Sequence, residues 1–366
     1  MEITPYKVEG EINYNKVVKE FGASFIDERL KKKFKGLKLV ERDYFFAHRD
    51  LDKLVGKRFA IVSGRGPSAH MHLAHLMLFK FVKEMQDKFG CYVFIPFSDD
   101  EKFLFDNKLS LEETKKLAHD NALDIIALGF DPKKTEFVFD FENMNQDLYN
   151  LSIKCSKAMT YGTVKAALGL TNEKNIGVSF YPAMQAAHIL YPTYKYKLPS
   201  LVLIGIDQDV FVKLSRDVAY KLKLTKPGCM LSKFMPSLKG SGKMSASDEF
   251  SAIYTSDSDE VIKKKIKSAF SGGQETIEEH RKKGGNPDID VAFMYLKYFV
   301  QENDKKLDEI YKKYKSGKML TGELKDYTIK RILEFMKEFR KNRKKSEKLL
   351  PKFMKSLVSG NKWKGL

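Results

Sequence analysis

Apolar and polar positions along this chain follow two rhythms, and each change of rhythm marks an element. Phe59-Ala60-Ile61-Val62 is a short unbroken apolar run of strand type, ended by Ser63-Gly64-Arg65-Gly66-Pro67-Ser68. From about His72 to Lys88 apolar residues recur at helical spacing, and Cys91 to Phe97 reads as the next strand. Strand, glycine turn, helix and strand within roughly 40 residues make a βαβ unit, which requires a parallel sheet. Between 100 and 175, helical stretches alternate with two short apolar runs, Ile125-Ile126-Ala127-Leu128-Gly129 and Phe137-Val138-Phe139. A second clean strand, Leu201 to Ile206, runs straight into Asp207-Gln208-Asp209 and a helix of about Val210 to Leu222. Beyond Ser258 almost everything reads helical. Residues 1–50 form a mixed, basic extension with at least one helix, and no internal repeat or low-complexity stretch stands out.

Length and charge sharpen this picture. At ~150 residues per domain, 366 residues predict about two to three domains. A hydrophobic share of 43% against 31% charged residues supports a sizeable core rather than long disorder. The net charge is +18, and residues 301–366 hold 20 Lys+Arg and 9 Asp+Glu, so +11 of it is segregated there. That points to a basic module appended to an α/β domain and to a polyanionic partner, with a lysine-rich solvated face as the plain alternative. Cys91, Cys155 and Cys229 are odd in number and far apart, which fits a reducing cytosol and excludes a disulfide framework. No apolar run approaches the ~18 residues of a membrane span, and polar residues occupy the place of a signal core. A cytoplasmic protein with no membrane partner is expected.

Two segments carry the candidate chemistry. In Ser63 to His75 a tight glycine turn leaves a strand, so backbone N–H groups can approach an anion at the positive end of the following helix. His72 and His75, three apart, fall on one helical face near that end and can donate to charge developing on phosphorus. Paired histidines at this spacing are also common on ordinary surfaces. A metal site from His70, His72 and His75 is disfavoured, because His70 and His72 face differently and no carboxylate follows at ligand spacing. The second segment, Gly240-Ser241-Gly242-Lys243-Met244-Ser245-Ala246-Ser247, describes a loop bearing one cation and several phosphate donors.

His72-Leu73-Ala74-His75 resembles the HxGH signature, and Lys243-Met244-Ser245-Ala246-Ser247 the KMSKS signature, of class I aminoacyl-tRNA synthetases. Further segments resemble the tryptophanyl-tRNA synthetases of archaeal and eukaryotic type. These are Glu20 to Ser24, Gly64-Arg65-Gly66-Pro67-Ser68, Asp99-Asp100-Glu101-Lys102 and Gly205-Ile206-Asp207-Gln208-Asp209, with Ala269-Phe270-Ser271-Gly272-Gly273 continuing through Glu278-Glu279-His280-Arg281 to Asp290–Leu296. The resemblance covers roughly residues 16 to 340.

The resemblance implies an α/β fold: a Rossmann-type parallel-sheet catalytic domain over 51–260, interrupted by a mostly helical insertion at about 100–175. An all-helical anticodon-binding domain would follow over 261–366, with 1–50 packed on the ATP side. It also implies a tryptophan–tRNA ligase that joins L-tryptophan to ATP and transfers it to the 3′ end of tRNA(Trp), acts as a homodimer and does not bind DNA. Mg²⁺ would arrive with ATP, without a dedicated protein metal site. By motif match, His72 and His75 hold phosphates, and Lys243 with Ser245 closes over pyrophosphate. Gly64, Gly66, Ala74, Asp207 and Met244 surround the nucleotide. Glu101 meets the α-ammonium, Gln185 is a second polar contact there, and Gln208 accepts the indole N–H. Gln274 and Glu275 match the anticodon-contacting turn, where a carboxylate can accept from a cytosine amino group. The C-terminal lysines would make tRNA affinity fall steeply with salt.

Several positions depart from the family pattern. Val62 stands where a tyrosine helps hold the indole, Pro96 replaces a glutamine, and Ala74 replaces the glycine against which adenine stacks. Ala246 replaces the second KMSKS lysine, a loss for which Arg65 is the expected substitute. Two rivals follow: the sister tyrosyl-tRNA synthetase, whose tyrosine-reading aspartate aligns with His188, and an inactive synthetase-like RNA-binding protein.

Overall fold

The computed structural model describes residues 2–3, 8–9, 14, 18, 22–105, 108–240 and 249–355. Seven strands build the main sheet: β1 (Ser24–Phe25), β2 (Phe45–Arg49), β3 (Ala60–Val62), β4 (Tyr92–Phe97), β5 (Thr135–Phe139), β6 (Ser200–Gly205) and β7 (Gly228–Ser232). They lie in the order β1-β2-β7-β6-β3-β4-β5. The five strands from β7 to β5 are parallel, and β2 joins them antiparallel through β7, with β1 antiparallel on its outer edge. Part of the basic extension is therefore sheet, which its mixed pattern does not announce.

The unbroken apolar strands follow from burial on both faces. Along β4, Val93, Ile95 and Phe97 enter one apolar cluster while Tyr92 and Phe94 enter another on the opposite face. The helix Leu73–Phe89 covers the first face with a stripe at Leu73, Leu76, Met77, Val82 and Met85, and ends at Gly90, whose φ of 60° is left-handed. The helices Gln146–Lys157, Ile176–Tyr196 and Asp209–Lys221 pack on the other side.

Of the two apolar runs between 100 and 175, Phe137-Val138-Phe139 is in β5, and Ile125-Ile126-Ala127 ends the helix Leu111–Ala127. The latter continues the buried stripe of Ala118 and Ala122 at helical spacing, so the run belongs to a 3.6-residue period. Apart from turns and β5, which extends the parallel sheet at its edge, the described part of the segment is helical.

From Asp259 onward the described chain is helical, dominated by the 23-residue helix Thr321–Arg343. Its buried Leu324, Ile329, Ile332, Met336 and Phe339 belong to the same apolar cluster as the Leu73–Phe89 stripe. One continuous core thus joins the sheet to the C-terminal helices.

Candidate active site

At β3 the chain changes direction across the sheet: β4 and β5 lie to one side, β6 and β7 to the other. Such a switch point opens a crevice at the carboxyl ends of the strands. A cavity of about 310 Å³ occupies this one.

The turn leaving β3 forms its first wall, where Gly64, Arg65 and Gly66 all line the cavity. Arg65 donates its backbone N–H to Pro96 O at 2.8 Å, tying the turn to the end of β4. Gly66 lets the Lys102 and Glu101 side chains approach closely: a Cβ there would stand 2.3 Å from Lys102 Cε and 2.7 Å from Glu101 Oε2, so both side-chain ends would have to shift. Burial pulls the Arg65 guanidinium down to about 10, so it stays cationic at neutral pH.

His75, in the first turn of the helix Leu73–Phe89, also lines the cavity. That turn holds no acidic residue, so the helix end keeps its positive potential. The His72 and His75 rings stack with centroids 3.6 Å apart. The His72 backbone N–H donates to His75 Nδ1 at 3.3 Å, so a neutral His75 carries its hydrogen on Nε2, a donor for phosphate oxygens.

The opposite wall is amide and carboxylate. Glu101 is buried and pairs with Lys102 Nζ at 2.9 Å. The Tyr181 hydroxyl donates to Gln185 Oε1 at 2.8 Å, which fixes that amide. Gln208 Nε2 donates to Asp207 Oδ2 at 2.9 Å, making the side-chain carbonyl the acceptor end of the amide. Behind this turn the Arg49 guanidinium holds the fully buried Asp209 through both carboxylate oxygens, at 2.9 and 2.7 Å.

Beneath Glu101 lies a buried acidic group that sequence reasoning missed. Asp99, Asp100 and Asp140 bring carboxylate oxygens within 4.8 Å of one another, and His188 Nε2 contacts Asp140 Oδ1 at 2.8 Å. Burial and the adjoining Asp140 carboxylate raise Asp100 well above the usual carboxylate range. Burial pushes His188 down to about 4, leaving a neutral imidazole at the cavity wall.

Burial also pushes Asp99 up to about 6, despite a backbone N–H from Phe141. Between the unfolded value and about 6 the folded chain binds the extra proton, so this group lowers stability as pH rises. Asp99→Asn is therefore expected to stabilise the protein by about 1 kcal/mol at pH 8, with the gain disappearing as pH falls from 6 toward 4. Urea unfolding at pH 8 and pH 4.5 checks this; an equal effect at both would rule out the buried charge as the cause.

Of the residues singled out from sequence, Val62, Gly64, Arg65, Gly66, His75, Glu101, Gln185 and Gln208 line the one cavity. His72 and Ala74 flank it beside His75 without forming its wall, and Asp207 lies buried behind Gln208. Lys243, Met244 and Ser245 lie outside the described residues. Gln274 and Glu275 are exposed on the turn before the helix Ile277–Lys283, away from the cavity wall, with Gln274 Nε2 donating to Gly284 O at 3.0 Å. Asn121 and Arg49 were missed, and no local signal marks them. Each acts on a partner far along the chain, Arg65 and Asp209 respectively.

Comparison with known proteins agrees with this geometry. Residues 54–337 match the family model for class I tRNA synthetases (W and Y). The tryptophan–tRNA ligase of Saccharolobus solfataricus is 43% identical over 363 residues, covering 96% of this chain and 94% of the relative. That of Pyrococcus furiosus is 44% identical over 365 residues, covering 96% and 93%. Among solved structures, the Plasmodium falciparum tryptophanyl-tRNA synthetase superposes with a TM-score of 0.87 at 39% identity, covering 94% of this chain and 98% of that one. With the family model spanning most of its length and relatives this similar, the chain belongs to the class I tRNA synthetases of the tryptophan and tyrosine group.

Proposed function

We infer that this protein is a tryptophan–tRNA ligase. The observation that carries the reading is that a cationic, donor-rich turn and a carboxylate–amide wall share one cavity at the switch point. Nucleotide phosphates belong against Arg65, the Gly64–Gly66 backbone and His75. The amino acid belongs against Glu101, Gln185 and Gln208.

The chemistry needs no general base, because the tryptophan carboxylate is already ionised. One of its oxygens attacks the α-phosphorus in line, the bond to the bridging oxygen breaks, and pyrophosphate leaves. The 3′-terminal ribose hydroxyl of the tRNA then attacks the activated carbonyl and AMP departs. Catalysis is positioning together with stabilisation of the charge that gathers on the phosphates. His75 Nε2–H, the helix N-terminus and Arg65 supply donors on one side, and the KMSKS resemblance adds Lys243 and Ser245. Mg²⁺ enters as part of the nucleotide substrate.

Gln208 selects the side chain, since a carbonyl that the bound substrate covers but leaves without the indole N–H costs about 1–3 kcal/mol. His188 argues against the tyrosine reading: it is neutral and bound to Asp140, and offers no carboxylate to a phenol. Gln274 and Glu275, exposed on their turn, suit anticodon contact, and the division into residues 1–50, 51–260 and 261–366 follows these roles. Exposed Tyr149, Ile153, Tyr161 and Ile176 in the segment after β5 support a homodimer built on that region. No helix among the described residues is long and apolar enough to cross a membrane, and the three cysteines are buried and free, which suits a cytoplasmic enzyme.

The test is ATP–pyrophosphate exchange with each of the twenty amino acids. Exchange with tryptophan alone is expected. Exchange with tyrosine instead would overturn the side-chain pocket but not the adenylation chemistry, and none with any amino acid would sink the reading.

A further inference from the structure

The phosphate-binding turn is braced from outside the sheet. Arg65 Nε donates to Asn121 Oδ1 at 2.6 Å, and Asn121 Nδ2 donates to Ala69 O at 3.1 Å, so one amide clamps both ends of the turn. One residue earlier on the same helix, Asp120 Oδ2 contacts His70 Nδ1 at 2.8 Å. One turn later, Asp124 Oδ2 accepts from Thr255 Oγ1 at 2.7 Å. Thr255 N in turn donates to Met71 O at 2.8 Å, and Leu73 N to Ile253 O at 2.9 Å, which pins the backbone on either side of His72. Three residues of the helix Leu111–Ala127 thus hold the whole segment from Arg65 to Leu73.

That helix is held in place by a side chain from far along the chain. Arg343, at the end of the helix Thr321–Arg343, contacts Asp124 Oδ1 through Nε and Asp120 Oδ1 through Nη2. Each carboxylate therefore has one oxygen on the arginine and the other on His70 or Thr255. Arg340, one turn earlier, donates to Asp257 O at 2.7 Å and pairs with Asp259 Oδ1 at 2.5 Å. At its other end, some 33 Å away at ~1.5 Å per residue, the same helix is wedged against the Gly272-Gly273 turn. A Cβ on Gly273 would lie 2.2 Å from Thr321 Oγ1. Between the two ends, Lys325 Nζ donates to Lys267 O and Ala269 O at 2.8 and 2.6 Å, so the helix is fixed along its length.

We propose that Arg343 is a positioning residue for ATP, setting the geometry of the Arg65–His72 segment through Asp120, Asn121 and Asp124. The cradle is then placed relative to the C-terminal helices and not by the sheet alone. The inference rests on the reading above that this segment receives the nucleotide phosphates. It concerns the face of the cavity formed by the Arg65 turn, because the bonds named above run to that turn and to the segment leading to Leu73.

The test uses the full-length protein with Arg343→Ala, and with Arg343→Lys, whose single ammonium cannot bridge both carboxylates in the arginine's geometry. In hydrogen–deuterium exchange without substrates, amides of residues 64–72 are expected to exchange about 10-fold faster in Arg343→Ala, with residues 176–196 unchanged. In tryptophan-dependent pyrophosphate exchange the ATP KM is expected to rise about 5- to 10-fold and the tryptophan KM to stay within twofold, with the lysine variant between. Unaltered protection of residues 64–72 would overturn the proposal, as would equal increases in both KM values. Should Arg343→Ala fail to fold, Arg343→Lys and the half-exposed Asp120→Asn carry the same comparison. A wild-type chain without exchange activity would refute the ligase reading alone, since the hydrogen-exchange arm judges the brace without catalysis.

Discussion

Glu101→Gln is expected to raise the tryptophan KM about 100-fold in pyrophosphate exchange and to leave the ATP KM within about threefold. The side chain is buried in the cavity wall, where a charge on a bound α-ammonium has little water to fall back on. Glutamine keeps the shape, so packing against Gly66 survives and the loss is electrostatic. Lys102, 2.9 Å from Glu101, is its neutralising partner. In the variant that ammonium loses its carboxylate and faces the incoming substrate as a like charge, which adds to the penalty. Factors of this kind appear in KM alone, because the ammonium contact is the same before and during displacement at phosphorus. An unchanged tryptophan KM would mean that the ammonium is met elsewhere.

What the sequence made legible was the part built from local patterns. The apolar runs that became β3, β4 and β6 were readable because both faces of a parallel strand are buried, which removes the polar alternation. The glycine turn and the start of the Leu73–Phe89 helix were readable from backbone chemistry, and the cavity formed where they meet β6. Contacts between distant residues were not readable. Nothing near Arg49 announces Asp209, and nothing near Arg343 announces Asp120 or Asp124. His188 could be aligned but not interpreted, because its role depends on Asp140, which reaches it only after β5 joins the sheet. β2 escaped notice for a related reason: its apolar character serves an antiparallel partner, β7, that arrives almost 180 residues later.

The second large effect is expected at Lys243, a residue outside the described part of the chain whose role comes from the KMSKS resemblance. Lys243→Ala is expected to lower the rate of tryptophan activation by about 100-fold or more, ~3 kcal/mol of transition-state stabilisation. Tryptophan affinity measured by calorimetry should stay within twofold. The loop Gly240 to Ser247 has a single cation, because alanine stands at 246 where the family signature has a second lysine. Arg65 does not cover for it freely. Its Nε is bound to Asn121, and it sits on the turn that leaves β3, so it can stabilise phosphate charge only where that turn holds it. Negative charge grows on the departing pyrophosphate as the bond breaks, and the KMSKS resemblance assigns Lys243 to that charge. The lysine contact is therefore worth most in the transition state, and its loss should appear in kcat rather than in tryptophan binding. A variant with normal kcat would remove Lys243 from the mechanism and leave the leaving group to Arg65, His75 and the helix N-terminus among the described residues.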